Sequence, residues 1–162
     1  MRDAGITRVE ELEWWESRRV AGVTITFLPS QHWSNRLGKA RNTSLWGSWG
    51  MAGADGTMVY HAGDTGYGPH FKAIGARWGA PDLALLPIGA YKPRWFLKDQ
   101  HTDPAEAVQA MQDLGAAAAV GMHFGTFRLA DEPYGSPETD LAAAAGKVPF
   151  AAPKPGQTFF AQ

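Results

Sequence analysis

The segment TDPAEAVQAMQDLG at 102–115 constrains this chain more than any other. Asp103 stands where a helix N-cap belongs, Pro104 takes the first helical position, and Glu106 completes a capping box. Ala107, Val108, Met111 and Leu114 then share one apolar face, and Gly115 supplies the stop. The helix expected over 103–114 lies between two continuous apolar runs, DLALLPI (82–88) and AAAVGMHF (117–124). Such runs suit strands buried on both faces. Strand 82–88, helix 103–114 and strand 117–123 therefore make a βαβ unit. It should cross over right-handed and set the two strands parallel.

The remaining segments extend this core. A short helical or irregular stretch is expected over 8–17. VTITFLP (23–29) is rich in β-branched and aromatic residues and ends at Pro29, as a strand does. TSLWGSWGM (43–51) alternates and reads as a second strand. Ala54-Asp55-Gly56 is a tight-turn signal that folds TMVYHA (57–62) back as a hairpin. HFKAIGARWG (70–79) suits a short helix stopped by Gly79 and Pro81, and QTFFA (157–161) suits a final strand. The expected class is α/β or α+β with a mixed sheet, in one domain, with neither an internal repeat nor a low-complexity linker.

Composition narrows the function classes. Lys plus Arg is 15 and Asp plus Glu is 16, a net charge of −1, so the basic excess of a nucleic-acid binder is missing. There is no cysteine, which excludes disulfides, zinc ribbons and thiol catalysis. The opening MRDAGITRVEELEWW carries charges where a signal peptide needs an apolar run. No stretch approaches the roughly 20 apolar residues of a membrane span. A cytoplasmic protein, at most peripheral to a membrane, is the expectation. Several of the 7 tryptophans sit beside polar chemistry, as in QHWS and PRWF, which suggests a pocket.

The polar residues outside this apolar framework fall at strand exits. His32 follows strand 23–29, Asp64 follows strand 57–62, His101 ends the loop after strand 82–88, and His123 closes strand 117–123. In layered α/β folds, ligands bind at the carboxyl ends of strands. Each residue alone has an ordinary structural reading: a buried histidine, or an Asp that forms a turn. Together they suit a cation such as Zn²⁺, Fe or Mn²⁺. His61 and His70 read as packing or surface residues. Asp64-Thr65-Gly66 also spells the triplet of aspartic proteases. A dimer would pair two such carboxylates, but Tyr67 and the βαβ unit do not suit that all-β fold. The loop 89–104 combines Tyr91, Trp95 and Phe96 with Lys92, Arg94 and Lys98, a mixture suited to an anion with an apolar tail.

The motifs FLPSQHWSNR, RNTSLWGSWG, HAGDTGYGPHFKAIG, PDLALLPIGAYKPRWFLKDQHTDPAEAVQAMQDLGA and GMHFGTFRLADEP occur in this order. From about residue 8 onward the chain resembles the C-terminal half of the N-acyl-phosphatidylethanolamine-hydrolysing phospholipase D group, within the metallo-β-lactamase-fold hydrolases. The resemblance implies the second half of an αβ/βα sandwich, with a mixed sheet and helices on one face, and a site for two zinc ions. It makes His32 a ligand of one metal, Asp64 the bridging carboxylate and His123 a ligand of the other. His101 becomes a further active-site histidine on the substrate side. Asp64 and His101 are the catalytic candidates, and Tyr91, Lys92, Arg94, Trp95 and Phe96 the substrate-binding ones. The implied reaction is attack on a phosphodiester by a metal-bound hydroxide, with a phospholipid as substrate.

One part of the family pattern is missing. The His-x-His-x-Asp-His motif, which supplies ligands to both metals, does not occur among the five histidines. The expectation is therefore a partial domain over 1–162 that begins in mid-architecture. It would bind zinc weakly or in part, turn over poorly alone, and expose a sheet face that invites a missing N-terminal half or self-association. A fragment, a split gene or a shifted start would each account for it. The competing reading is a non-catalytic remnant of the fold used for structure or interaction.

Overall fold

A computed structural model describes residues 5–159. Seven strands and four helices follow one another as β1 (Ser17–Val20), β2 (Val23–Leu28), β3 (Ser48–Ala52), β4 (Met58–His61), α1 (His70–Arg77), β5 (Leu83–Pro87), α2 (Arg94–Leu97), α3 (Pro104–Leu114), β6 (Ala118–Met122), α4 (Ser136–Ala145) and β7 (Phe150–Ala151). All seven strands form one sheet in sequence order. The first three pairings are antiparallel and the last three parallel.

The expected βαβ unit is present, and its helix carries the expected caps. The Asp103 side chain accepts the Glu106 N–H, the Glu106 side chain accepts the Asp103 N–H, and Gly115 ends the helix at φ 70°. Asp103→Ala should cost about 1 kcal/mol, the usual value of a lost N-cap; urea denaturation of the variant measures it.

Two further crossovers flank this unit, one through α1 and one through α4. All three step across the sheet in the same direction, and right-handed crossovers then put every connecting helix on one face. Accordingly α3 packs against both α1 and α4. The closeness of α1 and α3 depends on Gly75, where a Cβ would lie 2.7 Å from the Leu114 carbonyl oxygen. Tyr60, Phe71, Ile74, Leu86 and Leu114 lie fully buried or nearly so between sheet and helices. Along β5 the alternation is direct: Ala84 and Leu86 face the helices with no exposed surface, while Leu83 and Leu85 face the other way and are half-buried. On that second face Trp49, His61, Leu85 and Val120 stand in cross-strand register.

The structure corrects several sequence expectations. The stretch 8–16 is irregular, one of the two forms expected of it, but it leads into an unexpected strand, β1, which returns into β2 through a two-residue turn. Ala21 (φ 49°) and Gly22 (φ 86°) both hold positive φ there, the condition for a turn that matches strand twist. Ala at the first turn position disguises that signal. The strand expected over 43–51 starts only at Ser48, and the helix expected over 70–79 ends at Arg77. The last strand is Phe150–Ala151 rather than 157–161: residues 157–159 are irregular, and 160–161 lie outside the described residues. The reason is α4. Its sequence, SPETDLAAAA, has little apolar periodicity to reveal it, yet it crosses over from β6 and delivers Phe150 beside Ala119.

Candidate metal centre

The topology brings the four candidate residues to one edge. Two antiparallel steps separate β2 from β4, so both point the same way, and β5 and β6 run parallel to β4. The carboxyl ends of β2, β4, β5 and β6 therefore share an edge. His32, Asp64, His101 and His123 lie on the segments that leave it.

Asp64 is the centre of the group. His101 Nδ1 stands 3.0 Å from Asp64 Oδ1, while His32 Nε2 and His123 Nε2 stand 3.3 Å and 3.6 Å from Oδ2. His32 Nε2, Asp64 Oδ1 and His101 Nδ1 are buried, yet none is aligned for a hydrogen bond. The atoms are close but aim past one another. Buried polar atoms are ordinarily satisfied, so unbonded ring nitrogens and a carboxylate oxygen that converge on one place suit a shared cation. One donor atom each from His32, Asp64 and His101 fits within 4.8 Å of the others. Imidazole nitrogens around a carboxylate suit zinc or another first-row cation. The residues fit the metal that the resemblance implies.

Each side chain is held by its own neighbourhood. The Nδ1 of His32 lies 3.0 Å from the Trp33 carbonyl. Donation there leaves Nε2 bare toward Asp64, the usual way a second hydrogen bond selects the ligating nitrogen. The ring also stacks on Trp33, whose other contact is the Arg41 guanidinium. His123 sits at φ 61°, rare for a residue with a side chain. Gly89 at the end of β5 leaves room for it, since a Cβ there would run into the His123 carbonyl. His101 precedes the α3 N-cap, and its carbonyl accepts Arg94 Nη1 at 2.8 Å.

The electrostatics follow from this packing. Burial by itself would push the Asp64 carboxyl up. The close approach of His101 and His32, with the electrostatic attraction of His101 and His123, outweighs burial and holds it well below the usual range. His32 is raised by its contact with Asp64, against an opposing burial effect. His70 differs. Burial lowers it to about 4, so it is neutral in the fold and protonates only on unfolding between pH 6.5 and that value. A depressed folded pKa in a base favours folding at higher pH. Metal-free protein should therefore lose stability from His70 as pH falls from 6.5 toward 4, while His32 beside Asp64 works in the opposite sense. The pH slope of denaturant stability should be shallower in His70→Gln than in wild type; equal slopes would refute this assignment.

The five residues of the candidate substrate loop divide. Trp95 and Phe96 on α2 are 81% and 65% exposed, and Lys92 is exposed beside the Tyr91 ring. Tyr91 is buried, with its hydroxyl donating to Asp140 at 2.6 Å. Arg94 pairs with Glu106 at 2.6 Å and Asp103 at 3.5 Å, so its charge already clamps α2 to the start of α3. Sequence reasoning overlooked a shallow cleft beside His123 lined by Phe127, Leu129, Glu132 and Tyr134. Exposed aromatic residues in GTFRLADEPY were the available signal. His61 is half-buried on the sheet and accepts the Gly63 N–H at Nδ1.

Comparison with known proteins agrees with this architecture. A family profile described as the beta-lactamase superfamily domain matches residues 1–124. An uncharacterized protein of Mycobacterium tuberculosis is 45% identical over 155 residues, which is 93% of this chain and 41% of the relative. N-acyl-phosphatidylethanolamine-hydrolyzing phospholipase D 1 of Caenorhabditis elegans is 41% identical over 135 residues, 80% of this chain and 38% of that one. The solved structure of Igni18, a metallo hydrolase from the archaeon Ignicoccus hospitalis, superposes with a TM-score of 0.68 at 24% identity, covering 98% of this chain and 63% of that one. The chain thus spans about two fifths of the length of these two relatives. The aspartic-protease reading of Asp64-Thr65-Gly66 is overturned, because the triplet follows a strand of a mixed α/β sheet that matches an unrelated family. The profile over residues 1–124 and the mixed sheet with its helices on one face show that the chain belongs to the beta-lactamase superfamily domain family, in the metallo-β-lactamase fold.

Proposed function

We propose that the chain contributes part of the active site of a metal-dependent hydrolase, a zinc phosphodiesterase acting on N-acyl phospholipids. The observation that carries the metal reading is the set of buried, unbonded donors of His32, Asp64 and His101 converging at one point, with His123 beside them. His32, Asp64 and His123 would hold the cation, and His101 would share that set or face the substrate. A bound divalent cation neutralises phosphoryl oxygens and lowers the pKa of a water toward about 7. Asp64 stays ionised under these conditions, because its neighbours hold its pKa down. His32 presents Nε2 because Trp33 occupies Nδ1.

The lipid part of the proposal rests on the likeness to the Caenorhabditis elegans phospholipase and on the exposed Trp95, Phe96 and Lys92 near the site loop. Aromatic side chains beside a cation suit the rim of a peripheral membrane contact. No helix among the described residues is long and apolar enough to cross a membrane.

The chain's own donors form only a partial set, so turnover by the chain alone should be poor. The test adds Zn²⁺ and N-acyl phosphatidylethanolamine to the chain alone, and to the chain fused behind a His-x-His-x-Asp-His-bearing segment of a phospholipid-hydrolysing relative. Activity only in the fusion is expected. Robust turnover by the chain alone would sink the partial-site reading. A zinc-loaded fusion inert on phosphodiesters would sink the substrate class.

A further inference from the structure

The three donors that converge most tightly stand on separate loops, and one residue, itself next to Asp64, bonds to the neighbours of the other two. Gln31 precedes His32, Thr65 follows Asp64, and Thr102 follows His101. The Thr65 hydroxyl accepts the Gln31 N–H at 2.9 Å. The Thr65 carbonyl accepts the Thr102 N–H at 3.0 Å, and the adjacent Gly66 N–H donates to the Gln31 carbonyl at 2.8 Å. Thr65 has no exposed surface and Thr102 has 1%. The Thr102 hydroxyl in turn donates to the Pro87 carbonyl at the end of β5, at 2.6 Å.

The Thr65 hydroxyl is also fully used. A hydroxyl offers one proton and two lone pairs. Its proton goes to the Gly66 carbonyl at 2.8 Å. One lone pair takes the Gln31 N–H, and the other faces His70 Nε2 at 3.3 Å. His70 is half-buried, and its Nε2 donates to or accepts from the hydroxyl according to the ring's tautomer. Space around the hub is equally restricted. A Cβ at Gly66 would lie 2.5 Å from the Asp99 carbonyl oxygen, and one at Gly68 the same distance from Gln31 Oε1. Among the described contacts His123 makes none to this hub, and of the three histidines around Asp64 it stands farthest, at 3.6 Å.

We propose that Thr65 is a positioning residue that sets the relative placement of His32, Asp64 and His101, so that the three donors are arranged before any cation arrives. The proposal rests on the metal-centre reading. Its role is local and polar. It therefore predicts that a hydroxyl at this position matters more than the shape of the side chain.

Co²⁺ titration of the full chain tests it, read by the cobalt absorption spectrum, for wild type, Thr65→Ser, Thr65→Val and Asp64→Asn. Thr65→Val should bind about 10–100-fold more weakly, the usual effect of losing a ligand-orienting partner, with an altered spectrum. Thr65→Ser should stay close to wild type. A folded Thr65→Val with wild-type affinity and spectrum, alongside a clear loss in Asp64→Asn, would overturn the positioning role alone. Failure of wild type to bind Co²⁺, or unchanged binding in Asp64→Asn, would overturn the metal centre and the positioning role with it. Should Thr65→Val not fold, Thr65→Ala and Thr65→Ser decide by the same titration: weaker binding in the alanine variant than in the serine variant is expected, and equal binding in the two would overturn the hub.

Discussion

Asp64→Ala should leave the fold in place and weaken divalent-cation binding by more than about 100-fold, beyond the ~10–100-fold typical of outer-shell changes. Asp64 approaches all three histidines, within 3.0 to 3.6 Å. Without it, three imidazoles on three loops have no common anion to share a cation with. The fold should survive for two reasons. The side chain is 36% exposed, so its removal opens little buried space. The loop around it is held by Thr65 and Gly66 rather than by the carboxylate. Isothermal titration with Zn²⁺, beside circular dichroism of the apo proteins, separates the two effects. Near-wild-type zinc affinity would show that the four residues do not form the metal centre.

Glu132→Ala should destabilise the chain by about 3 kcal/mol. The residue is 9% exposed, and its carboxylate accepts the Ala90 N–H at 2.6 Å and the Lys92 N–H at 3.1 Å. Hydrogen bonds to charged acceptors contribute about 1.5–3 kcal/mol each, and a buried N–H left without a partner costs a similar amount. Ala90 sits at φ 60°, a conformation that turns neighbouring N–H groups toward one anion. The Asp131 N–H completes the clamp on the Lys92 carbonyl at 3.1 Å. Glu132 thereby fixes the loop that leaves β5 to the loop that leaves β6, and these loops carry His101 and His123. Glu132→Gln should fall between wild type and alanine, since the amide oxygen accepts only one of the bonds well and carries no charge. Urea denaturation decides; a loss under about 1 kcal/mol in the alanine variant would mean that the loops hold each other by other contacts.

Much of the site was legible in the chain. His32, Asp64, His101 and His123 could each be placed beyond a strand end because the strands announced themselves by apolar runs and the helix by its caps. The same reasoning lost the β1–β2 hairpin, whose turn begins with Ala rather than Asn, Asp or Gly, and it lost α4, whose alanines give no periodic face. Arg94 shows a different limit. Its sequence neighbours suggested a phosphate-binding cation, but Glu106 and Asp103 take its charge. Which acid a guanidinium meets depends on how α2 docks against α3, and local sequence carries no record of that.

The division between sequence and tertiary structure follows the range of the forces involved. Capping, turn formation and alternation act within a few residues, so the chain alone determined the βαβ unit, the parallel strands 83–87 and 118–122, and the order in which candidate ligands leave the sheet. Whether those ligands meet depends on contacts between residues 31, 65 and 102, tens of positions apart in the chain. Only the folded sheet put them in register. Only there did Asp64 acquire three histidines, Thr65 become the bond that joins their loops, and a turn triplet that resembled a protease become the centre of a candidate metal site.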